Sequence, residues 1–286
     1  MLKQFWIRLP VILRAIIVGE LVVSVGGILP PLAIIANVRT TPRVPWMLLV
    51  TLVWLCLFWW YLQGNGWPRS TAESRRRDLR GNSLPGQIWG WALLAGTLGI
   101  ASTLALGFAT LRVANVSREA FAAPINFLNY PTLTVVCAIA CISATAGVVE
   151  EAGFRGFMLT PIQRRHGWTA AILITGFMFF LDHHFSHSYA TFTFLPFFLA
   201  ISAVHGFLVK YSGSIQPSAV LHAVADFLVI PILYGLVGSL SVTPLSQTGI
   251  DKQFLICIVL MVIFGAAAIP AYKHLAAASA ATRLGN

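Results

Sequence analysis

Long apolar runs separated by short polar connectors dominate the chain. A helix needs about 20 residues to cross a bilayer. About eight runs reach that length: 11–37, 45–63, 88–113, 132–158, 169–186, 192–210, 214–235 and 253–272. Each is expected to be a helix, because in lipid the backbone must satisfy its own hydrogen bonds. The first run contains Pro30–Pro31 and is expected to kink or break there. The fourth is expected to continue as a helix past residue 158. Trp46, Trp59, Trp60, Trp67, Trp89 and Trp91 fall at run ends, where interfacial anchors sit. The expected fold class is all-α: one polytopic integral membrane domain over 1–286 with about eight transmembrane helices.

Composition strengthens this reading. The chain is 57% hydrophobic with a mean hydropathy of +0.80. Only 10% of its residues are charged, against about 25% in a soluble domain. No polar stretch is long enough for a separate soluble domain, and the longest, about 64–87, is Arg-rich and expected to be a loop. Arg14 and Glu20 interrupt the first apolar run and no small-residue cleavage site follows, so it is expected to remain as a helix. Cys56, Cys137, Cys141 and Cys257 all lie within spans without Cys-x-x-Cys spacing, so no disulfide framework is implied. No internal repeat is evident.

The formal charge of +10 does not make this a nucleic-acid-binding chain, because the cations lie in connectors rather than in one patch. With the N-terminus inside, twelve fall on the inner side: Lys3, Arg8, Arg69, Arg75, Arg76, Arg77, Arg80, Arg164, Arg165, Lys210, Lys273 and Arg283. Arg39, Arg43, Arg118 and Lys252 fall outside, with Arg112 near the boundary. That asymmetry predicts cytoplasmic termini, and anionic lipid headgroups are the expected partners of the cations.

Against this background the polar residues inside the spans stand out as functional candidates. They are Glu20, Glu150, Glu151, Asp182 and Asp226, with His183, His184, His205 and His222. Span four carries Glu150, Glu151 and Arg155. On an α-helix Glu151 and Arg155, four apart, share a face and neutralise each other. Glu150 is turned by about 100° from Glu151 and is the carboxylate available for proton transfer. Span five carries His183 and His184, each four residues after a phenylalanine (Phe179 or Phe180), so the register is open by one residue. On span seven His222 and Asp226 are four apart and share a face. His205 on span six has no such partner and is expected to be structural or supporting. Counted from the cytoplasmic side, Glu150, His183 and His222 each lie about 18–22 Å along an α-helix, so three helices bring polar groups to one depth.

In this order the residues resemble the CPBP family, which comprises CAAX proteases and bacteriocin-processing enzymes and is also called the ABI family of intramembrane endopeptidases. Its pattern EExxxR, FxxxH and HxxxN or HxxxD reads here as Glu150-Glu151-Ala-Gly-Phe-Arg155, Phe179-Phe-Leu-Asp-His183 and His222-Ala-Val-Ala-Asp226. The resemblance implies a catalytic core over 132–235, three membrane helices with their loops over 1–131, and a last helix with a short cytoplasmic tail over 236–286. It implies an active-site cavity formed by helices 4, 5 and 7, in which Glu150 and His183 activate water. His222 and Asp226 would bind the scissile carbonyl, beside the structural pair Glu151–Arg155, with Phe179 and His184 in support. Asp226 stands where the family often has Asn; an ionised carboxylate cannot donate to an oxyanion. Two mechanisms stay open: a metal-independent Glu/His pair, or zinc held by Glu150, His183 and His222 with an open position for water.

The expected substrate is a peptide or membrane-protein segment, prenylated or of leader type, cleaved near the bilayer. The expected location is a bacterial plasma (inner) membrane. A proton-coupled transporter using the same buried residues, and a non-catalytic immunity or assembly factor, are the rival readings.

Overall fold

The computed structural model describes residues 4, 6, 8–116, 120, 125–237 and 243–284. Lys3 and Arg118, counted above among the flanking cations, lie outside the described residues, as does the side chain of Arg283. The fold is 83% helical, with no strand among the described residues, so the all-α expectation holds. The helices are α1 (Val11–Gly27), α2 (Leu29–Thr40), α3 (Met47–Leu62), α4 (Ala72–Leu79), α5 (Gly86–Val113) and α6 (Thr132–Thr145). A π-helix, Ala146–Met158, follows directly, and then α7 (Leu159–Ser186), α8 (Leu195–Ser212), α9 (Gln216–Leu233), α10 (Leu245–Thr248) and α11 (Lys252–Leu284).

Six helical runs are long and apolar enough to cross a membrane: Val11–Thr40, Gly86–Val113, Thr132–Ser186, Phe192–Ser212, Gln216–Leu233 and Lys252–Thr282. Met47–Leu62 is apolar but shorter. The eight stretches read off the sequence all fall on these seven helical runs. Two of the expected spans share the single run Thr132–Ser186, which leaves helical geometry at Gly167 (φ 81°, ψ 172°). A positive φ of that kind suits a residue without a Cβ. The first run is interrupted at Gly27–Ile28, one turn before Pro30–Pro31, where the prolines remove the bonds to the Gly26 and Gly27 carbonyls. Pro30 and Pro31 occupy the first turn of α2, where a missing N–H costs nothing. The connector 64–87, expected to be a loop, contains α4.

The chain forms two compact units. The first comprises Met1–Gly81, Ala123–Ala171 and His222–Pro231. Here α1 packs on the π-helix through small residues, as membrane helices do when backbones approach closely. A Cβ at Gly153 would stand 2.4 Å from Val23 Cγ2 and 2.9 Å from the Gly19 carbonyl oxygen. Gly26 faces Val149 and Phe58 in the same way. Gly153→Ala is therefore expected to destabilise the protein by about 1–3 kcal/mol through overpacking. Gly27→Ala, where an added Cβ meets nothing within 4 Å, is the control; chemical denaturation in detergent separates the two.

Elsewhere in this unit Asn37, fully buried, joins α2 to α3. Its amide donates to the carbonyls of Thr41 and Val44, and its oxygen accepts from the Met47 N–H, all at 2.9 Å. The cations of α4 are engaged by protein. Arg75 donates to the Tyr61 carbonyl at 2.9 Å and stacks on the Tyr61 ring, and Asp78 pairs with Arg164 at 3.0 Å.

The second unit comprises Asn82–Ala122, Ile172–Leu221 and Ile232–Asn286. Its helices α5, α8 and α11 pack together. Ser102 donates to the Met261 carbonyl at 2.7 Å and Tyr272 to the Val204 carbonyl at 2.9 Å. Arg112, in the last turn of α5, is 2% exposed. It forks onto Asp251 and donates to Thr248 and the Thr243 carbonyl. Hydrogen bonding to that guanidinium pulls the Asp251 carboxyl down to about 2. Apolar side chains face outward along α11, among them Leu255, Val259, Val262 and Ile263. That pattern fits a chain whose solvent is lipid, and the protein is an integral membrane protein.

Candidate active site

The π-helix is where the charged motif lies. Its hydrogen bonds run i→i+5 rather than i→i+4, a geometry that is rare and is frequent at functional sites. Five of its thirteen residues are Gly or Ala, and two of the glycines are pressed by neighbouring backbone. Gly153 meets the Gly19 carbonyl, and an added Cβ at Gly156 would lie 3.3 Å from Leu79 Cα. The wider turn advances less per residue than an α-helix, so the α-helical estimate of depth for Glu150 does not apply. It also brings positions four and five apart onto one side, so Arg155 relates to both Glu151 and Glu150.

The result in the first unit is a cluster of Glu150, Glu151, Arg155, His222 and Asp226. Glu151 and Arg155 are both 0% exposed and pair at 3.1 Å, as the spacing predicted. Glu151 does more than that pairing required. The same oxygen, Oε1, lies 2.9 Å from His222 Nδ1. The other ring nitrogen, Nε2, faces Glu150 Oε2 at 3.8 Å and Asp226 Oδ2 at 3.6 Å. These two separations exceed a direct hydrogen bond and suit a small polar molecule shared between the three groups. Side-chain exposure grades outward from Glu151 at 0% through His222 at 11% and Glu150 at 21% to Asp226 at 31%. The sealed side of the imidazole is thus Glu151, and the open side is Glu150 with Asp226.

Sequence spacing paired His222 with Asp226 on one helix face and placed Glu151 with Arg155 alone. The contact between Glu151 and His222 joins residues 71 apart. Neither motif carries a local signal for it.

Phe179, His183 and His184 lie in the second unit. His183 Nδ1 is 2.9 Å from the Phe179 carbonyl and His184 Nδ1 is 2.7 Å from the Ala190 carbonyl. A carbonyl only accepts, so Nδ1 carries a proton in both rings, which leaves Nε2 as the nitrogen able to exchange one. His183 packs against Phe179 and Phe198, and His184 against Phe180 and Phe192. The one-residue ambiguity of the sequence is thus matched by two histidines in similar chemical states. His205, in the same unit, is buried and its Nδ1 lies 2.7 Å from Ser218 Oγ.

Among the described residues of the first unit, Glu151 and His222 form a Glu/His donor pair of the kind that could help hold a metal ion. It shares one member, His222, with the zinc set expected from the motifs. The surroundings of Glu151 fit a divalent ion poorly. Its Oε1 already accepts from His222, and a buried guanidinium stands 3.1 Å from it. A permanent cation at that distance opposes a second one.

Comparison with known proteins bears on the same segment. Residues 132–228 match the family described as type II CAAX prenyl endopeptidase Rce1-like. No curated protein and no solved structure matches the chain. The Rce1-like family is one of proteases. Glu150, Glu151, Arg155, Phe179, His183, His222 and Asp226 all fall within the matched residues. The segment that carries the three motifs is similar to the Rce1-like family of CAAX prenyl endopeptidases, in line with the resemblance those motifs carry.

Proposed function

We propose that the protein is an intramembrane endopeptidase that hydrolyses a peptide bond with a water activated by Glu150. The observation that carries this reading is the position of Glu150 and Asp226 on the open side of His222, within apolar helices. Peptide hydrolysis needs a base for water, a donor for the developing oxyanion and a proton for the departing amine. Glu150 takes a proton from water, with His183 as the partner that the motif pattern assigns, as the oxygen attacks the carbonyl carbon. His222, protonated on both ring nitrogens, donates from Nε2 to the carbonyl oxygen as it gains charge, aided by Asp226. The C–N bond then breaks, and the proton held by Glu150 passes to the amine. No step needs a metal, in keeping with the guanidinium beside Glu151. The substrate class is a membrane-associated peptide segment, prenylated or of leader type, that reaches the site from the bilayer or one face. The protein resides in a bacterial plasma membrane with both termini in the cytoplasm.

The test compares the membrane and secreted peptidomes of cells carrying wild type, Glu150→Ala and His183→Ala. A cleavage product present with wild type and absent with both variants is expected. Full retention in Glu150→Ala overturns the reading and favours an immunity or assembly role. With purified protein and that substrate, a chelator is expected to leave the rate within about twofold, since no metal-activated water is required. Abolition of the rate by chelator, with recovery on adding zinc, would overturn the metal-free route.

A further inference from the structure

The ion pair Glu151–Arg155 accounts for charge neutrality in the π-helix but not for the second partner of Glu151. Neutrality requires only that a carboxylate meet a guanidinium. Instead Oε1 is shared between Arg155 Nη1 at 3.1 Å and His222 Nδ1 at 2.9 Å, on the fully buried side of the imidazole. An ionised carboxylate only accepts, and a guanidinium only donates and stays charged. Beside Arg155, Glu151 is therefore a fixed acceptor, and the proton of that contact lies on Nδ1.

We propose that Glu151 is a positioning residue for His222. It locks the ring in the orientation that presents Nε2 to Glu150 and Asp226, and it fixes the proton on Nδ1. Arg155 in turn locks the carboxylate. The arrangement uses the logic by which a buried carboxylate orients a working histidine: the outer hydrogen bond decides which nitrogen works. The catalytic consequence rests on the endopeptidase reading, whereas the protonation pattern of the ring does not.

The experiment is ¹⁵N NMR of histidine-labelled full-length protein in detergent, with the His222 signals assigned by their loss in His222→Gln. Wild type is expected to show a proton on Nδ1 of His222. In Glu151→Gln the amide oxygen is claimed by Arg155, so the amide N–H faces Nδ1, which gives up its proton, and the ring keeps only the one on Nε2. Alongside that loss of the charged ring, kcat is expected to fall about 10²–10⁴-fold, as when the carboxylate behind a working histidine is replaced by its amide, with KM within about threefold. If Glu151→Gln does not fold, Glu151→Asp keeps a carboxylate for Arg155 while withdrawing it from the ring, and loss of the Nδ1–H signature is expected there too. A wild-type His222 protonated only on Nε2, or an unchanged His222 signature in the variants, overturns the proposal. The expected signatures in a protein without peptidase activity would leave Glu151 as the anchor of His222 and overturn the endopeptidase reading alone. Peptidase activity with an unchanged signature would do the reverse.

Discussion

Glu150→Gln is expected to lower the rate of peptide hydrolysis by about 10²–10⁴-fold, the usual contribution of a general base, without unfolding the protein. The substitution keeps the shape of the side chain and removes its ability to take a proton. It also leaves the Glu151–Arg155 pair in place, since Arg155 lies 3.1 Å from Glu151. Glu150 is 21% exposed at its side chain, whereas Glu151 and Arg155 are 0% exposed, so the substitution avoids the fully buried ion pair. Initial rates normalised to folded protein after gel filtration check this. A Glu150→Gln variant that retains more than about a tenth of the wild-type rate, against the hundredfold minimum for a general base, would remove Glu150 from the mechanism. Loss of substrate flux in proteoliposomes without any cleavage by wild type would instead move the protein to the transporters.

Arg155→Leu is expected to destabilise the protein by about 3–5 kcal/mol, the cost of leaving a buried charge without its partner. Both Glu151 and Arg155 are 0% exposed, so water cannot take over the role of the guanidinium. The sign of a second substitution makes the argument specific. Glu151→Leu combined with Arg155→Leu is expected to recover most of the loss, because replacing both members of a buried pair by apolar residues is often neutral or stabilising. Chemical denaturation in detergent measures both. Equal destabilisation in the single and double variants would show that the loss comes from packing rather than from charge. The double variant would still be inactive, because His222 loses its acceptor along with the charge.

Much of the site is legible along the chain because its residues are chemically improbable where they stand. Glu150, Glu151, Arg155, His183, His222 and Asp226 are conspicuous within apolar runs, where any ionisable group is expensive. The Glu151–Arg155 pair follows from spacing alone, since residues four apart meet on a helix. The six membrane-length helices follow from apolar run length. The polar connector with Arg164, Arg165, His166 and Gly167 separates 132–158 from 169–186 along the chain, and the helical run that joins them leaves helical geometry at Gly167.

The membrane solvent, the all-α class and the identity of the polar residues can all be read along the chain. Those depend on composition and on period, which are local properties. Only the tertiary structure decided that Ala146–Met158 is wound as a π-helix. Two features go with that winding, the close approach of Gly19 and Leu79 to Gly153 and Gly156 and the pairing of Glu151 with Arg155. Only the tertiary structure decided that His222 takes its short contact from Glu151, 71 residues away, and not from Asp226 on its own helix. A four-residue spacing says that two side chains share a face. It does not say which of them a third helix will reach, because that depends on where the backbones pack.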